Sequence, residues 1–238
     1  MYYFPPSWRF SGVVRKPRHL IAGERYSCNN FRPYVIAIGQ AALAWNDLHQ
    51  RLALLFERVS GAELYGTGLA IWNAAPSDRA AREMLRATLP GVPNRWLRGF
   101  PAAQDDIAWL LTEAEKLEDA RNNTVHVPLW MVETNTRGTE ILPQFLLGHR
   151  RANRLLEKDL LTEFRWCRDT ALVLRNYAIA LRNALTYREP SELFPWPDRP
   201  TLPNRGHKKA PQAERRPVAP KLPVRQRRSS AKRAEARS

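Results

Sequence analysis

The chain has 238 residues, of which 44% are hydrophobic, and it carries a formal net charge of +15 at pH 7. This length can form one sizeable domain with additional segments. Because the chain has no run of about eighteen apolar residues and no basic-then-apolar leader, we expect neither a membrane span nor a signal peptide. The expected location is the cytoplasm, where Cys28 and Cys167 would form no disulfide.

The basic charge is concentrated in the C-terminal part of the chain. Residues 198–238 contain 13 Lys and Arg and 3 Asp and Glu, a net charge of +10, against +5 for the rest. This part is rich in proline and poor in large apolar residues, so it cannot bury enough surface to offset its chain entropy. We therefore predict a disordered basic tail over residues 191–238. It serves either solubility or the tethering of nucleic acid, through Lys208, Lys209, Arg215, Arg216, Arg227 and Arg228.

The N-terminal part is predicted to be an irregular arm followed by a long helix. Residues 1–33 mix aromatic, proline and basic side chains without a period, which predicts the arm. Apolar residues between Ile38 and Val59 then recur every three or four positions. This pattern predicts a first helix that begins at Pro33 and ends before Gly61.

Two shorter helices are predicted next. The first covers about residues 63–75, although Gly66 and Gly68 weaken it. The second begins after Ser77, a good N-cap, and ends near Leu89, with Asp78 at its positive end. A connector rich in proline and glycine follows over residues 90–101.

The remaining elements complete a domain over residues 34–190. Residues 129–142 are predicted to form a small β-hairpin. The last helix begins near Ala152 or Glu157, and its apolar residues from Leu160 to Leu185 step by four and three. That spacing is typical of either a bundle core or a dimer interface. The predicted fold class is all-α: a bundle of four to five helices with a hairpin insertion.

A helix predicted over residues 102–121 carries the most informative pattern. Its apolar stripe consists of Ile107, Leu110, Ala114 and Leu117, and Arg121 continues the same stripe. A guanidinium on a buried face is costly unless it is paired or binds an anion. His126, five residues further on, adds a group that can titrate near neutral pH. The combination suits chemistry on a phosphate.

The segment Arg121-Asn122-Asn123-Thr124-Val125-His126 resembles the motif of the HEPN superfamily. The segments 44–48, 69–73 and 77–85 look like those of a bacterial branch of that group, and the resemblance covers about residues 34–187. It implies a compact helical bundle and a ribonuclease of bacterial toxin, defence or stress systems. It also implies a homodimer that joins two copies of the motif, and an antitoxin or nucleotidyltransferase as a further partner.

Under this interpretation the predicted activity is endonucleolytic cleavage of RNA without metal or cofactor. The ribose 2′-hydroxyl would attack the phosphate, leaving a cyclic 2′,3′-phosphate. His126 would act as general acid and base, and Arg121 would clamp the phosphate. Asn122 would orient the phosphate or His126. Asn46, His49, Glu118 and Asp119 are possible supporting residues, of which Asn46 and His49 are three apart on the first helix.

Two other interpretations compete with this one. Arg121 could be an ordinary cation at a helix C-terminus, paired with Glu118 or Asp119, with His126 capping a loop. Alternatively the chain is a non-catalytic HEPN-like module that binds nucleic acid, a nucleotide or a protein. The Val127-Pro128 pair favours the latter, because many relatives carry a small residue after the histidine.

The sequence also contains a second basic group, and it lacks several common functional motifs. His149, Arg150, Arg151 and Arg154 form a basic patch suited to phosphate contacts or simply to solvent. No set of His, Cys, Asp and Glu has the spacing of metal ligands, and no glycine-rich phosphate loop or dinucleotide-binding fingerprint is present.

Overall fold

The computed structural model describes residues 15–18, 28–61, 66–90, 99–134, 138–144, 150–156, 158–186 and 194–206. Within these residues the protein is mostly helical, as predicted. The helices are α1 (Arg32–Val59), α2 (Thr67–Asn73), α3 (Asp78–Thr88), α4 (Ala103–His126), α5 (Arg150–Asn153) and α6 (Leu160–Ala184). The strands are β1 (Arg15–Arg18), β2 (Leu129–Thr134) and β3 (Gly138–Pro143).

The helix starts follow their local sequences. Pro33 lies in the first turn of α1, where its missing N–H costs nothing. The Ser77 hydroxyl accepts a hydrogen bond from the Ala80 N–H and caps α3, as predicted. The Asp159 carboxylate does the same for the Thr162 N–H, so α6 begins at Leu160, slightly later than the sequence indicates. Helix α2 is shorter than predicted, because the chain enters it at Gly66 in a left-handed conformation.

Helices α1, α4 and α6 form the main bundle. Helix α1 runs parallel to α6, since Gln40 bonds to Arg168 near their beginnings and Arg58 caps the Leu185 carbonyl near their ends. Helix α4 runs antiparallel to both. Their apolar stripes meet in one core, which also receives Leu85 of α3.

The apolar stripe of α6 is buried, mostly in this core and at its first turn in a second apolar cluster. Its members are buried, from Leu160 and Phe164 at one end to Leu181 and Leu185 at the other. Of the two interpretations that the spacing left open, the bundle core is therefore correct for this stripe. The buried stripe is therefore not available as the interface of the predicted homodimer.

A three-stranded antiparallel sheet closes one end of the bundle. β2 and β3 form the predicted hairpin, with Leu129 opposite Pro143 and Thr134 opposite Gly138. β1 pairs with the other edge of β2, so part of the predicted irregular arm is a strand. The sequence analysis missed β1 because its four residues include two arginines, a lysine and a proline. Phe31, Val127, Met131 and Phe164 belong to a second apolar cluster next to this sheet.

Residues 194–206, named the strap below, lie against α4 and α6. The Trp196 indole donates to Asp106 Oδ2 over 2.6 Å, and Arg199 Nε donates to Asp106 Oδ1 over 2.5 Å. Further along, Arg205 pairs with Glu163 of α6. We had assigned these residues to the disordered tail, and this assignment is wrong for 194–206, because their aromatic and arginine side chains find partners on the bundle. Residues 207–238 lie outside the described part of the chain.

Candidate functional site

A group of polar and aromatic side chains lies where α1, α3 and α4 meet. Helix α1 contributes Trp45 and His49, both buried, and α3 contributes Asp78 and Arg82. The fifth member is Glu118 of α4, and we name these five residues the polar cluster. Because they come from three helices, the cluster ties together elements that otherwise share mainly apolar contacts.

Arg82 is the centre of the polar cluster and is fully buried. Its Nη1 lies 2.9 Å from His49 Nε2, and its Nη2 donates to Glu118 Oε2. The Arg79 guanidinium, which is mostly exposed, lies 3.5 Å from the same Glu118 oxygen. A buried guanidinium is costly without a paired carboxylate, so Arg82 and Glu118 depend on each other.

His49 is held in its neutral form. Burial, together with the nearby positive charges of Arg82 and Arg121, lowers the pKa of His49 to about 4, although Asp78 and Glu118 oppose the shift. Arg82 has only N–H donors, so it donates to Nε2, and the remaining ring proton lies on Nδ1, which is 3.6 Å from Asp78 Oδ1. Asp78 also accepts a 2.8 Å hydrogen bond from the Trp45 indole. The lone pair of neutral His49 is on Nε2, where it accepts from Arg82, so His49 links α1 to α3 and has no free lone pair for proton transfer.

Arg121 lies beside the polar cluster and is half-buried. Its Cζ is 5.5 Å from the centre of the Trp45 ring, and its Nη1 donates to Asn122 Oδ1 over 2.9 Å. Among the described residues, no carboxylate oxygen lies within 4 Å of this guanidinium. Glu118 pairs with Arg82, and Asp119 lies 3.7 Å from Arg154. The alternative in which Glu118 or Asp119 neutralises Arg121 is therefore wrong for the described part of the chain.

His126 is exposed and is the last residue of α4, not part of a loop after the helix as we had predicted. The helix continues past Arg121 because Asn123 and Thr124 are buried, and the Thr124 hydroxyl bonds to the Ala120 carbonyl. It ends before Val127, whose extended backbone is what a residue preceding proline adopts. On a regular helix, residues five apart are separated by about 140° around the axis, so Arg121 and His126 face different directions.

The other predicted residues are dispersed. Asn46 is exposed whereas His49 is buried, although residues three apart are separated by only about 60° around a helix. The boundary between core and solvent passes between them. Arg150 and Arg154 are exposed, and Arg151 is half-buried. His149 and the tail residues Lys208, Lys209, Arg215, Arg216, Arg227 and Arg228 lie outside the described residues.

Trp45, Asp78 and Arg82 are functional neighbours in this region that were not among the residues predicted from the sequence. A signal for Arg82 was present: it lies between Ala81 and Leu85, which are the apolar, buried residues of α3. This is the same inward position that drew attention to Arg121. Trp45 lies within the apolar pattern of α1, which explains its buried ring but not the hydrogen bond that its indole donates to Asp78.

No group of three or more His, Cys, Asp and Glu side chains in the described part of the chain could hold a metal ion. None of the helices described is both long and apolar enough to cross a bilayer. A comparison of the chain with protein-family models, with curated proteins and with solved structures gives no match.

Proposed function

We propose that this protein is a metal-independent endoribonuclease of HEPN type, with its site at the C-terminal end of α4. One observation carries the proposal. The Arg121 guanidinium is held in place by an aromatic ring and an amide, while both nearby carboxylates pair with other arginines. A fixed cation without a paired carboxylate is suited to bind the phosphate of RNA and to stabilise the charge that develops during cleavage.

The chemistry assigns one role to each residue of the motif. A histidine accepts the proton of the ribose 2′-hydroxyl, and the oxygen then attacks the adjacent phosphorus. The bond from phosphorus to the 5′-oxygen breaks, and a histidinium returns a proton to that leaving oxygen. His126 is exposed and can reach a substrate, and Arg121 clamps the phosphate with Asn122 beside it. The products are a cyclic 2′,3′-phosphate and a free 5′-hydroxyl.

The separation of Arg121 and His126 around α4 supports a site shared between two chains. One chain supplies one histidine to a reaction that uses an acid and a base, and a second copy would supply the other. The proposed homodimer therefore joins two α4 ends through a surface other than the buried stripe of α6. Sedimentation should give a dimer at tens of micromolar protein, and a monomer there would argue against the shared site.

A non-catalytic module that binds RNA is the second candidate. The observation that favours this candidate is again the separation of Arg121 and His126 by about 140° around the axis of α4. Side chains that point in such different directions do not act together on one phosphate within one chain. In this case Arg121 still binds phosphate and His126 has no chemical role. Toxin or defence activity, and an antitoxin or nucleotidyltransferase partner, belong to the first candidate alone.

Cleavage of single-stranded RNA in EDTA distinguishes the two candidates. We expect Arg121→Ala and His126→Ala each to reduce the rate by about 100-fold or more. The combined variant should lose little further activity, since both residues serve one transition state. Lys116→Ala, which removes an exposed cation of α4 that pairs with Glu113, is the matched control and should keep the activity. Mass spectrometry should detect the cyclic phosphate end.

The opposite result is equally specific. If the wild-type protein binds varied RNAs without cleaving them, and only Arg121→Ala weakens binding, the second candidate is correct. If neither variant changes binding or cleavage while both lower the melting temperature, the motif is structural and both candidates fail.

A further inference from the structure

We propose that Arg82 keeps Arg121 available to phosphate by binding Glu118, the carboxylate that would otherwise pair with Arg121. This inference rests on the proposed role of Arg121 in RNA binding. Arg82 would not touch RNA; it would act as a positioning residue through its effect on a neighbouring charge.

The spacing along α4 is the first step. Glu118 and Arg121 are three residues apart, a separation at which opposite charges on a helix commonly form an ion pair. They do not do so here. Glu118 Oε2 is instead bonded to Arg82 Nη2, with Arg79 Nη2 3.5 Å away. The carboxylate has thus turned from its neighbour on the same helix towards α3.

The burial of Arg82 explains why Glu118 stays there. Arg82 has no exposed surface, and its Nη1 bonds to His49, so it cannot follow Glu118 towards solvent. An unpaired guanidinium in this position would be costly, and the low local dielectric strengthens the pair that avoids the cost. Glu118 is therefore committed to Arg82 in a way that an exposed ion pair would not be.

Trp45 holds Arg121 in place, although Glu118 does not neutralise the charge of Arg121. The centre of its ring lies 5.6 Å from Arg82 Cζ and 5.5 Å from Arg121 Cζ, so one ring contacts both guanidinium groups. An aromatic ring restrains a guanidinium without cancelling its charge. Arg121 is consequently both ordered and positively charged.

A binding experiment tests the role of Arg82 separately from catalysis. The probe is a short fluorescent 2′-O-methyl RNA, which has no free 2′-hydroxyl to attack the phosphate, and the protein is the full chain. If Arg82→Met releases Glu118 to Arg121, affinity should fall by about fivefold, approaching that of Arg121→Ala. Glu118→Gln alone should change affinity by less than about twofold, because that carboxylate is already neutralised.

The decisive measurement is the double variant Arg82→Met with Glu118→Gln. Removing the released carboxylate should restore the affinity to within about twofold of wild type, whereas a merely structural effect of Arg82 would not be rescued. Arg86→Met is the matched control, because Arg86 Nη2 pairs with Glu115 Oε1 over 3.1 Å one turn further along the same two helices. This variant should bind like wild type.

The binding results distinguish a failure of the role of Arg82 from a failure of the proposed function. If Arg121→Ala weakens binding but Arg82→Met does not, or if the double variant stays weak, the role of Arg82 is refuted and the proposed function stands. If Arg121→Ala binds as wild type does, the phosphate-binding role of Arg121 fails first. Should circular dichroism show that Arg82→Met is unfolded, Arg82→Lys replaces it. The lysine keeps the charge beside Glu118 and should retain affinity within about twofold, so a loss as large as that of Arg121→Ala overturns the proposal.

Discussion

At the scale of single residues, the polar cluster shows how a buried histidine becomes a structural group. His49 satisfies Arg82 with one nitrogen and faces Asp78 with the other. Burial removes the water that would stabilise a protonated ring, and a proton on Nε2 would oppose the Arg82 donor. The residue that the sequence offered as a possible participant in catalysis is therefore used to connect α1 to α3.

This environment predicts that stability depends on pH. The pKa of His49 is about 4 in the folded protein, below the usual value of 6.5, so the unfolded chain takes up a proton that the folded chain does not. The contribution of neutral His49 to the free energy of unfolding is complete above pH 6.5 and is lost as the pH falls towards 4. Between pH 7 and pH 5 the free energy of unfolding should fall by about 2 kcal/mol through this group alone.

His49→Gln is the matched variant for this prediction, because glutamine offers Arg82 an acceptor but does not titrate. Urea unfolding of both proteins at pH 7 and pH 5 isolates the histidine, since all other titrating groups are common to the two. Equal losses of stability in wild type and variant would show that His49 does not keep its low pKa.

At the scale of elements, the contact between α1 and α2 depends on one glycine. A Cβ atom on Gly68 would lie 2.8 Å from the Glu57 Cα, which is backbone and cannot move aside. The close approach lets the Glu57 carboxylate accept hydrogen bonds from the N–H groups of Gly66 and Leu69 over 2.6 and 2.8 Å. These bonds satisfy donors at the start of α2, which has no side-chain cap of its own.

Gly68→Ala should therefore destabilise the fold, by about 2 kcal/mol, because α2 has to move away from α1. Gly39→Ala is the control: in the middle of α1 a Cβ at this position meets nothing within 4 Å. There the substitution should stabilise the protein by about 0.5–1 kcal/mol, since alanine favours a helix. Chemical unfolding measures both, and a loss of stability at Gly39 as large as that at Gly68 would contradict the argument.

At the scale of the whole molecule, the strap determines where the basic tail leaves the bundle. Near the end of the strap, the Trp166 indole donates to the Pro203 carbonyl. The Arg205 Cζ lies 4.4 Å from the centre of the Trp166 ring. Burial opposes ionisation of Glu163, but its bonds to Arg205 and Lys158 keep its pKa below the usual value. The ion pair between Glu163 and Arg205 therefore stays charged. Because α4 and α6 are antiparallel, this end of the bundle is also the end at which α4 finishes.

The chain after Gly206 contains 11 Lys and Arg and 2 Asp and Glu. If these cations bind RNA, deleting residues 207–238 should reduce the slope of log affinity against log salt by about 2 or more, since each phosphate contact on a single strand contributes about 0.7. A tail of equal length with Gln in place of Lys and Arg is the control and should give the same reduced slope. An unchanged slope after deletion would assign the tail to solubility alone.

Local sequence signals specify the helices with strong apolar periods and several of their ends. Proline, serine and aspartate act on the backbone within a few residues, so the starts of α1 and α3 could be predicted from them. The stripe of α4 up to Leu117 was equally readable, as was the inward position of Arg121. The end of α4 was not, because the burial of Asn123 and Thr124 depends on residues that are distant in the chain.

Which charges pair depends on how the helices pack against one another. Ion pairs join residues by spatial distance, and Arg82 and Glu118 are 36 positions apart in the chain. From the sequence, Glu118 was as good a partner for Arg121 as for any other cation, and the α6 stripe suited an interface as well as a core. The packing of α3 against α4 pairs Glu118 with the buried Arg82, and Arg121 instead contacts the Trp45 ring. Local patterns specify where a side chain points along its own helix, whereas its partner depends on the packing of the whole bundle.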